Sequence, residues 1–453
     1  MKVVHCKSHL LRLQVLSSSP LWRAYPRNYS TSILGNTYQS DEWTNVPSGI
    51  VALVGRDFHK TPNHPVGIIR QLIENRLVPL GFTPFNDFKP IVSTSDNFDS
   101  LGFPLDHPGR SKTDTYYLNK DTLLRTHTSA HEITCLHSTK TPGYLITADV
   151  YRRDTIDRTH YPAFHQMEGA RSWNRNDYAS EKDLCAQIRA EIAALPASGI
   201  EVSDPHGSHS EINPIQDDHS EELCLLLGTH LKRTLEIIMG ELFLRAQANA
   251  IADGANDPDL MQPIKARWIE AYFPWTGPSW EIEIWWKGEW LEMCGCGVTQ
   301  QHLYRTADQS NNVGWAFGIG LERAAMILFG IPDIRLFWTD DSRFIDQFKE
   351  NTVSTFKPWS KYPGTTRDVA FWVPDSSEIH ENDIMEIIRA NGGDLVSNVS
   401  LVDTFKHPKS GRASQCYRIV YQSMSKNLTN DEVNMIQDKV VQSLVDTYNV
   451  EIR

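Results

Sequence analysis

Long apolar runs are absent from this 453-residue chain. A membrane-crossing helix needs about 18 or more consecutive apolar residues, so no membrane span is expected. Cysteine is scarce and scattered: of the seven, only Cys294 and Cys296 stand close together. This spacing excludes a dense disulfide framework, and a zinc site would lack its second ligand pair. A basic excess is also missing, with 44 Lys and Arg against 56 Asp and Glu and a net charge of -12, which argues against wholesale coating of nucleic acid. One absence is local. Residues 1–40 hold Lys2, Lys7, Arg12, Arg23 and Arg27 and no acidic residue. An acid-free leader with Ser, Arg and the leucines 10, 11, 13 and 16 fits a mitochondrial transit peptide over 1–29, and Arg27-Asn28-Tyr29-Ser30 resembles a matrix-protease cleavage site.

What is present suits two or three domains with cores of their own. Val51–Gly55 reads as a short strand. Over Pro65–Leu77, Val66, Ile69, Leu72, Ile73 and Leu77 recur at helical spacing behind a possible cap at Asn63. The loop SDNFDSLGFPLDHPGR (95–110) is dense in turn formers, and Thr126–Glu132 packs hydroxyls, imidazoles and a carboxylate into THTSAHE. Asp149–Ser172 reads strand, loop, strand. Arg152 lies at one end and Gln166 and Glu168 at the other, so the hairpin can grip an anion and an ammonium group together, or simply be a charged surface hairpin.

Residues 174–221 have few large apolar side chains and read as a polar insertion whose second half is solvated. Glu222–Phe243 is an amphipathic helix in which His230 is expected to be a packed or partly exposed histidine, not a ligand. Trp280, Ile282 and Ile284 alternate with Glu281 and Glu283 before the turn Lys287-Gly288, an antiparallel hairpin. Phe273-Pro274-Trp275 can wall an aromatic pocket or belong to ordinary core. In Trp315–Phe329, Gly318 and Gly320 clear the backbone where a strand meets a helix. Arg323 sits in that helix's first turn, a seat for phosphate or for a surface ion pair. A linker, 344–361, leads to a β-α-β-β-α-β unit over 362–453 with a capping box at Thr429 and Glu432. Its basic loop Lys406–Arg412 can meet an RNA backbone or only solvent.

In order, NFDSLGFPLDHPGR, THTS, YRRD through FHQMEG, FPWTGPSWE and GWAFGIGLERAAMILF resemble the single-chain mitochondrial phenylalanyl-tRNA synthetases of class II, from about Gly55 to Arg453. The resemblance implies an α+β fold. A catalytic domain over 41–343 would hold an antiparallel sheet flanked by helices, followed by a ferredoxin-like anticodon-binding domain. It implies ATP and Mg²⁺, L-phenylalanine and tRNA(Phe) as partners, a monomer, and the mitochondrial matrix.

Arg152, Arg323 and His160 would be catalytic: Arg152 on the α-phosphate, Arg323 at the γ-phosphate end, His160 beside the triphosphate with Thr159. Phe164 would stack on adenine with Asp154 near its amino group, and Gly320 would complete the ATP site. Ser129, Ala130, His131, Glu132, Gln166 and Glu168 would surround phenylalanine's ammonium and carboxylate, Phe273, Trp275 and Ala316 would shape the phenyl pocket, and Glu292 would bind Mg²⁺. Two residues depart from the pattern: Glu132 stands where the family often has glutamine, and Trp275 where it commonly has phenylalanine. No stretch is large enough for a separate editing domain. Two other readings stand beside this one, a non-catalytic descendant that binds tRNA or amino acid and a ligase that adenylates another small acid.

Overall fold

The computed structural model describes residues 30–205, 207, 209–358, 362–374 and 379–453; the expected transit peptide at 1–29 lies outside them. Eight strands form the main sheet: β1 (Phe82–Phe85), β2 (Gly143–Tyr151), β3 (Ala163–Asn174), β4 (Glu201–Ser203), β5 (Lys265–Phe273), β6 (Thr276–Trp286), β7 (Glu289–Thr299) and β8 (Asn312–Gly320). Their order is β1-β2-β3-β8-β7-β6-β5-β4. The six central strands pair antiparallel, and only the edge strands β1 and β4 join parallel.

Side chains alternate across this sheet with the period of two that strands impose. Met167, Trp280, Ile282, Trp315 and Ile319 are buried on one face. Phe164, Gln166, Glu168, Glu281, Ala316 and Gly318, on the opposite parity, stay partly open.

α1 (Pro65–Leu77), α3 (Glu181–Ala194), α4 (Glu221–Ala252) and α6 (Leu321–Phe329) share the core of the apolar face, whereas α2 (Glu132–Ser138) and α5 (Gln301–Thr306) pack on the other face around Tyr144 and Ala170. The 32-residue α4 crosses the tryptophan-rich part of the sheet. It approaches closely because Gly228 has no side chain; a Cβ there would stand 2.9 Å from the Trp280 ring. Lys232 lays its ammonium 4.4 Å from the Trp280 centroid and pairs with Asp204 at 2.8 Å. His230 is buried against Trp173 and Trp315, a packed histidine as expected.

Several expectations are corrected. Val51–Gly55 is no strand: Ser48–Val51 is a helical turn behind Pro47, and turns follow. Four apolar residues in five carry no period that separates the two. The cap of α1 is His64, not Asn63, since Pro65 occupies the first helical position and the His64 ring accepts from the Val66 N–H at 3.2 Å.

The 174–221 segment is not merely a solvated insertion. Ser180 caps α3, whose Leu184, Cys185 and Ile188 are buried. Asn213 exchanges two hydrogen bonds with the Ser279 backbone, both 2.8 Å. The sequence of α3 carries little helical signal because a helix that meets one neighbour needs only a narrow apolar stripe. α4 runs on to Ala252 through an alanine-rich stretch of strong helix formers. The expected linker begins too early, because Phe344, Phe348, Val353 and Phe356 are buried in the catalytic core.

The C-terminal unit has β9 (Thr365–Trp372), α7 (Glu381–Gly392), β10 (Val396–Lys406), β11 (Ala413–Tyr421), α8 (Asn430–Tyr448) and β12 (Glu451–Ile452), with sheet order β10-β11-β9-β12. This is the expected β-α-β-β-α-β order, and the capping box at Thr429 and Glu432 is formed. The unit docks on the catalytic domain through Arg153 to Asp383 at 3.0 Å, Tyr116 to Glu386 at 2.8 Å, Tyr161 to Asp394 at 2.9 Å and the Val399 N–H to the Ile156 carbonyl at 2.8 Å.

Candidate active site

The open face of β3, β8, β7 and β6 floors a cavity of about 310 Å³. Ser129, Glu132, Arg152, Gln166, Glu168, Phe273, Trp275, Glu292 and Ala316 all line it, brought together from six segments of the chain. Register explains the convergence. Gly318 stands opposite Glu168, and Ala316 opposite Ala170, so small residues on β8 leave the space that the β3 side chains face. A Cβ at 318 would lie 3.3 Å from Gln166 Nε2, and one at Gly295 would lie 2.6 Å from the Phe273 ring.

One end of the cavity is polar. Ser129 Oγ donates to Glu168 Oε1 at 2.8 Å. Arg152 is held by its Nε, which donates to the Thr126 carbonyl at 2.7 Å, and its guanidinium lies 5.2 Å from the Phe164 ring centroid. Its outer edge remains exposed. Glu168 is pushed up to about 7 by burial, against the hydroxyls of Ser129 and Thr128 and the charge of Arg152. Glu132 is pushed up to about 8, by burial first and by the Glu168 charge second, against a hydrogen bond from Tyr144.

An aromatic stack forms a wall. Phe273 faces Trp275 at 6.3 Å, Trp275 faces Phe103 at 5.5 Å, and Phe103 faces His127 at 5.6 Å with ring planes 4° apart. Phe103 comes from the turn-rich loop after residue 95. Burial, helped by the Arg152 charge, drives His127 down to about 3, so it is a neutral ring in this stack.

Other expected residues lie elsewhere. Ala130 is buried with Phe98 and Leu101 behind the wall, and His131 stacks on Phe88 at 4.2 Å and meets Arg125 at 2.8 Å. They back the cavity and do not line it. Gly320 caps α6, and Arg323 is exposed in that helix's first turn, where its charge reaches Glu281.

Asp154 turns its carboxylate to the Thr155 N–H, and its carbonyl accepts from Arg389 of the C-terminal unit at 2.6 Å. Thr159 and His160 are gathered by Asp157, which accepts from their backbone N–H groups at 2.6 and 2.8 Å. His160 lines a second cavity, about 330 Å³, between this loop and α7. His160 and Thr159, expected beside the triphosphate, thus lie outside the cavity of Ser129 and Glu168, on the turn that Asp157 holds.

Three features had little or no sequence signal. Glu281 lies beside Glu292, whose charge raises its pKa after burial does. Glu322 accepts from the His165 N–H at 2.7 Å and meets its ring Nδ1 at 2.6 Å, fastening the start of α6 to β3 and so Arg323 to the strand of Gln166 and Glu168. Arg125, fully buried, pairs with Asp149 and donates to the carbonyls of Asp149, Phe88 and Lys89 at 2.6 to 3.0 Å. Only an alternating polar parity hinted at Glu281; the others are partners far apart in sequence.

Comparison with known proteins bears on the family and its domains. The model of the class II core domain of tRNA synthetases (F) matches residues 50–180 and 259–348, and that of the ferredoxin-fold anticodon binding domain matches 360–453. The mitochondrial phenylalanine–tRNA ligase of Saccharomyces cerevisiae is 50% identical, over 94% of this chain and 97% of its own length. The chain belongs to the phenylalanine–tRNA ligase family. The mitochondrial ligase of Mus musculus is 40% identical over 93% of this chain and 88% of its own, and the chloroplastic/mitochondrial ligase of Arabidopsis thaliana 39% identical over 92% and 84%. As a ligase of this family, the chain has the class II core and the anticodon-binding domain in one polypeptide.

Proposed function

We infer that this ligase charges tRNA(Phe) with phenylalanine in the mitochondrial matrix, as a monomer. The observation that carries the reading is one cavity with Arg152, Ser129, Gln166 and Glu168 at its polar end and Phe273 and Trp275 along its side. Phenylalanine's carboxylate attacks the α-phosphate of ATP, and pyrophosphate leaves. A hydroxyl of the terminal tRNA adenosine then attacks the acyl carbon, and AMP leaves. No protein nucleophile takes part; alignment and charge stabilisation supply the rate.

Arg152 neutralises charge on the α-phosphate, Phe164 stacks on adenine, and Arg323 at the α6 N-terminus holds the far phosphates. Glu168 and Gln166 meet the ammonium. Among the described residues no group of three or more His, Cys, Asp or Glu would hold a metal unaided. Mg²⁺ takes one or two carboxylates and completes its shell with phosphates and water, so Glu292 with Glu281 fits an ion that arrives on the triphosphate. When bound, it would neutralise phosphate charge.

Phenylalanine-dependent ATP–pyrophosphate exchange followed by charging of tRNA tests the reading. Exchange without charging would favour a ligase for another acceptor, and neither activity a non-catalytic binder. An apolar pocket rejects an added hydroxyl by only about a hundredfold, and among the described residues there is no separate editing domain beside the catalytic and C-terminal units. Tyrosine should therefore support exchange at roughly a hundredth of the phenylalanine kcat/KM; none above background at saturation would refute this.

On the C-terminal unit, Arg453 lies 5.5 Å from the Trp372 centroid and 5.0 Å from Phe405, and Arg412 lies 4.9 Å from Trp372. Aromatic rings flanked by guanidinium groups form a stacking platform for unpaired bases. Trp372→Ala should raise the KM for tRNA about tenfold or more, since a stacked base contributes about 1–3 kcal/mol, and leave pyrophosphate exchange intact.

A further inference from the structure

Glu132 breaks the charge balance of the cavity. Phenylalanine brings one carboxylate and one ammonium. The cavity wall brings Glu132 and Glu168 against a single cation, Arg152, with Glu292 farther along at the Glu281 side. The two acids have unequal surroundings. Glu168 accepts from Ser129 Oγ and feels the Arg152 charge, both of which favour its ionised form.

Glu132 starts α2 and is 8% exposed. From β2 it is faced by the Tyr144 hydroxyl, from β3 by Glu168, from α5 by Tyr304 and from its own helix by Cys135. Each of these is neutral or negative. The adjacent His131 ring is turned to Arg125, which is committed to Asp149. Tyr144, Tyr304, Ala170 and Ala316 belong to one apolar cluster beneath the cavity, so Glu132 belongs to the side that receives the ring, not the phosphate side.

The geometry points to Glu132 working as a neutral carboxylic acid, the proton-holding member of a Glu132–Glu168 pair whose other member gives up its proton first, and to that proton being required for the pocket to accept an apolar ring. An isolated carboxylate beside an apolar ring is costly to bury, and two acids on one enclosed wall resist ionising together. A protonated acid also offers a hydrogen-bond donor, as glutamine's amide does, which explains how Glu132 can stand where the family often has glutamine. The upward shift of Glu132 to about 8 agrees with this assignment.

This inference rests on the cavity being the phenylalanine site. Its test is the KM for phenylalanine in pyrophosphate exchange from pH 7 to pH 9.5, in the full chain and in Glu132→Gln. Ionisation of Glu132 removes the binding-competent form, so the wild-type KM should climb about tenfold per unit above about pH 8. The substrate's own ammonium titrates identically with both enzymes. The KM ratio between pH 9 and pH 7 should therefore be about tenfold smaller in Glu132→Gln; equal ratios overturn the proposal.

A second measurement needs no variant. 3-Phenylpropionate has no group that titrates in this range, and its calorimetric binding at pH 9 in two buffers of different ionisation enthalpy should show uptake of about one proton. No proton uptake overturns the proposal, whereas absence of any phenylalanine-dependent exchange at pH 7 overturns the functional reading beneath it.

Discussion

Replacing Arg152 by alanine is expected to lower phenylalanine-dependent pyrophosphate exchange by about two to three orders of magnitude, the usual cost of removing one preorganised charge partner of a transition state. The guanidinium is placed for this by two contacts that leave its outer edge open: Nε on the Thr126 carbonyl at 2.7 Å and its plane over Phe164. Lysine should not restore the rate, because it offers neither a stacking plane nor a forked donor edge. The loss should fall on kcat more than on the KM for phenylalanine, since charge on the α-phosphate grows in the transition state. Affinity for tRNA should change little, as the Trp372 platform belongs to the other unit. Exchange within a few-fold of wild type in Arg152→Ala would remove this residue from the phosphate side.

Much of this site was legible because strands report parity. Phe164, Gln166 and Glu168 sit on alternate positions of β3, and the buried His165 and Met167 between them point to the other face. Gly318 and Ala316 follow the same rule on β8. The order of elements in the C-terminal unit was legible for a related reason: short alternating strands and capped helices carry their signals locally.

Contacts between distant elements were not legible. His165 and Glu322 lie 157 residues apart and give no periodic sign of their bond. The loop from Arg152 to Pro162 could be placed beside β3 but not aimed, because its direction is set by Asp157 within it and by Arg389 and Asp394 across the domain interface. α3 and the aromatic segment 344–356 stayed hidden because tertiary partners, not local pattern, supply their burial.

Arg125 is where such a hidden contact should matter most for stability. Its head group is fully enclosed, paired with the Asp149 carboxylate and shared among three carbonyls, while Tyr151 donates to the same carboxylate. Arg125→Ala leaves a buried carboxylate without its cation, and breaking a buried pair from one side costs about 3–5 kcal/mol. For a catalytic domain of this size that corresponds to a fall of about 5–8 °C in its unfolding temperature, to be read by scanning calorimetry.

The pH dependence has a definite sign. Burial alone would raise Asp149, but Arg125 overrides it and holds the carboxyl below its ordinary value. A depressed carboxyl contributes stability above its unfolded pKa and loses it as the pH falls through the folded value. The gap between wild type and Arg125→Ala should therefore be full at neutral pH and narrow on acidification. Because Arg125 also carries the segments of residues 88–89 and 131 that stand behind the cavity, the variant should lose exchange activity at temperatures below its unfolding transition. A variant that unfolds within a degree of wild type would mean that the network is not what holds β2 to the wall.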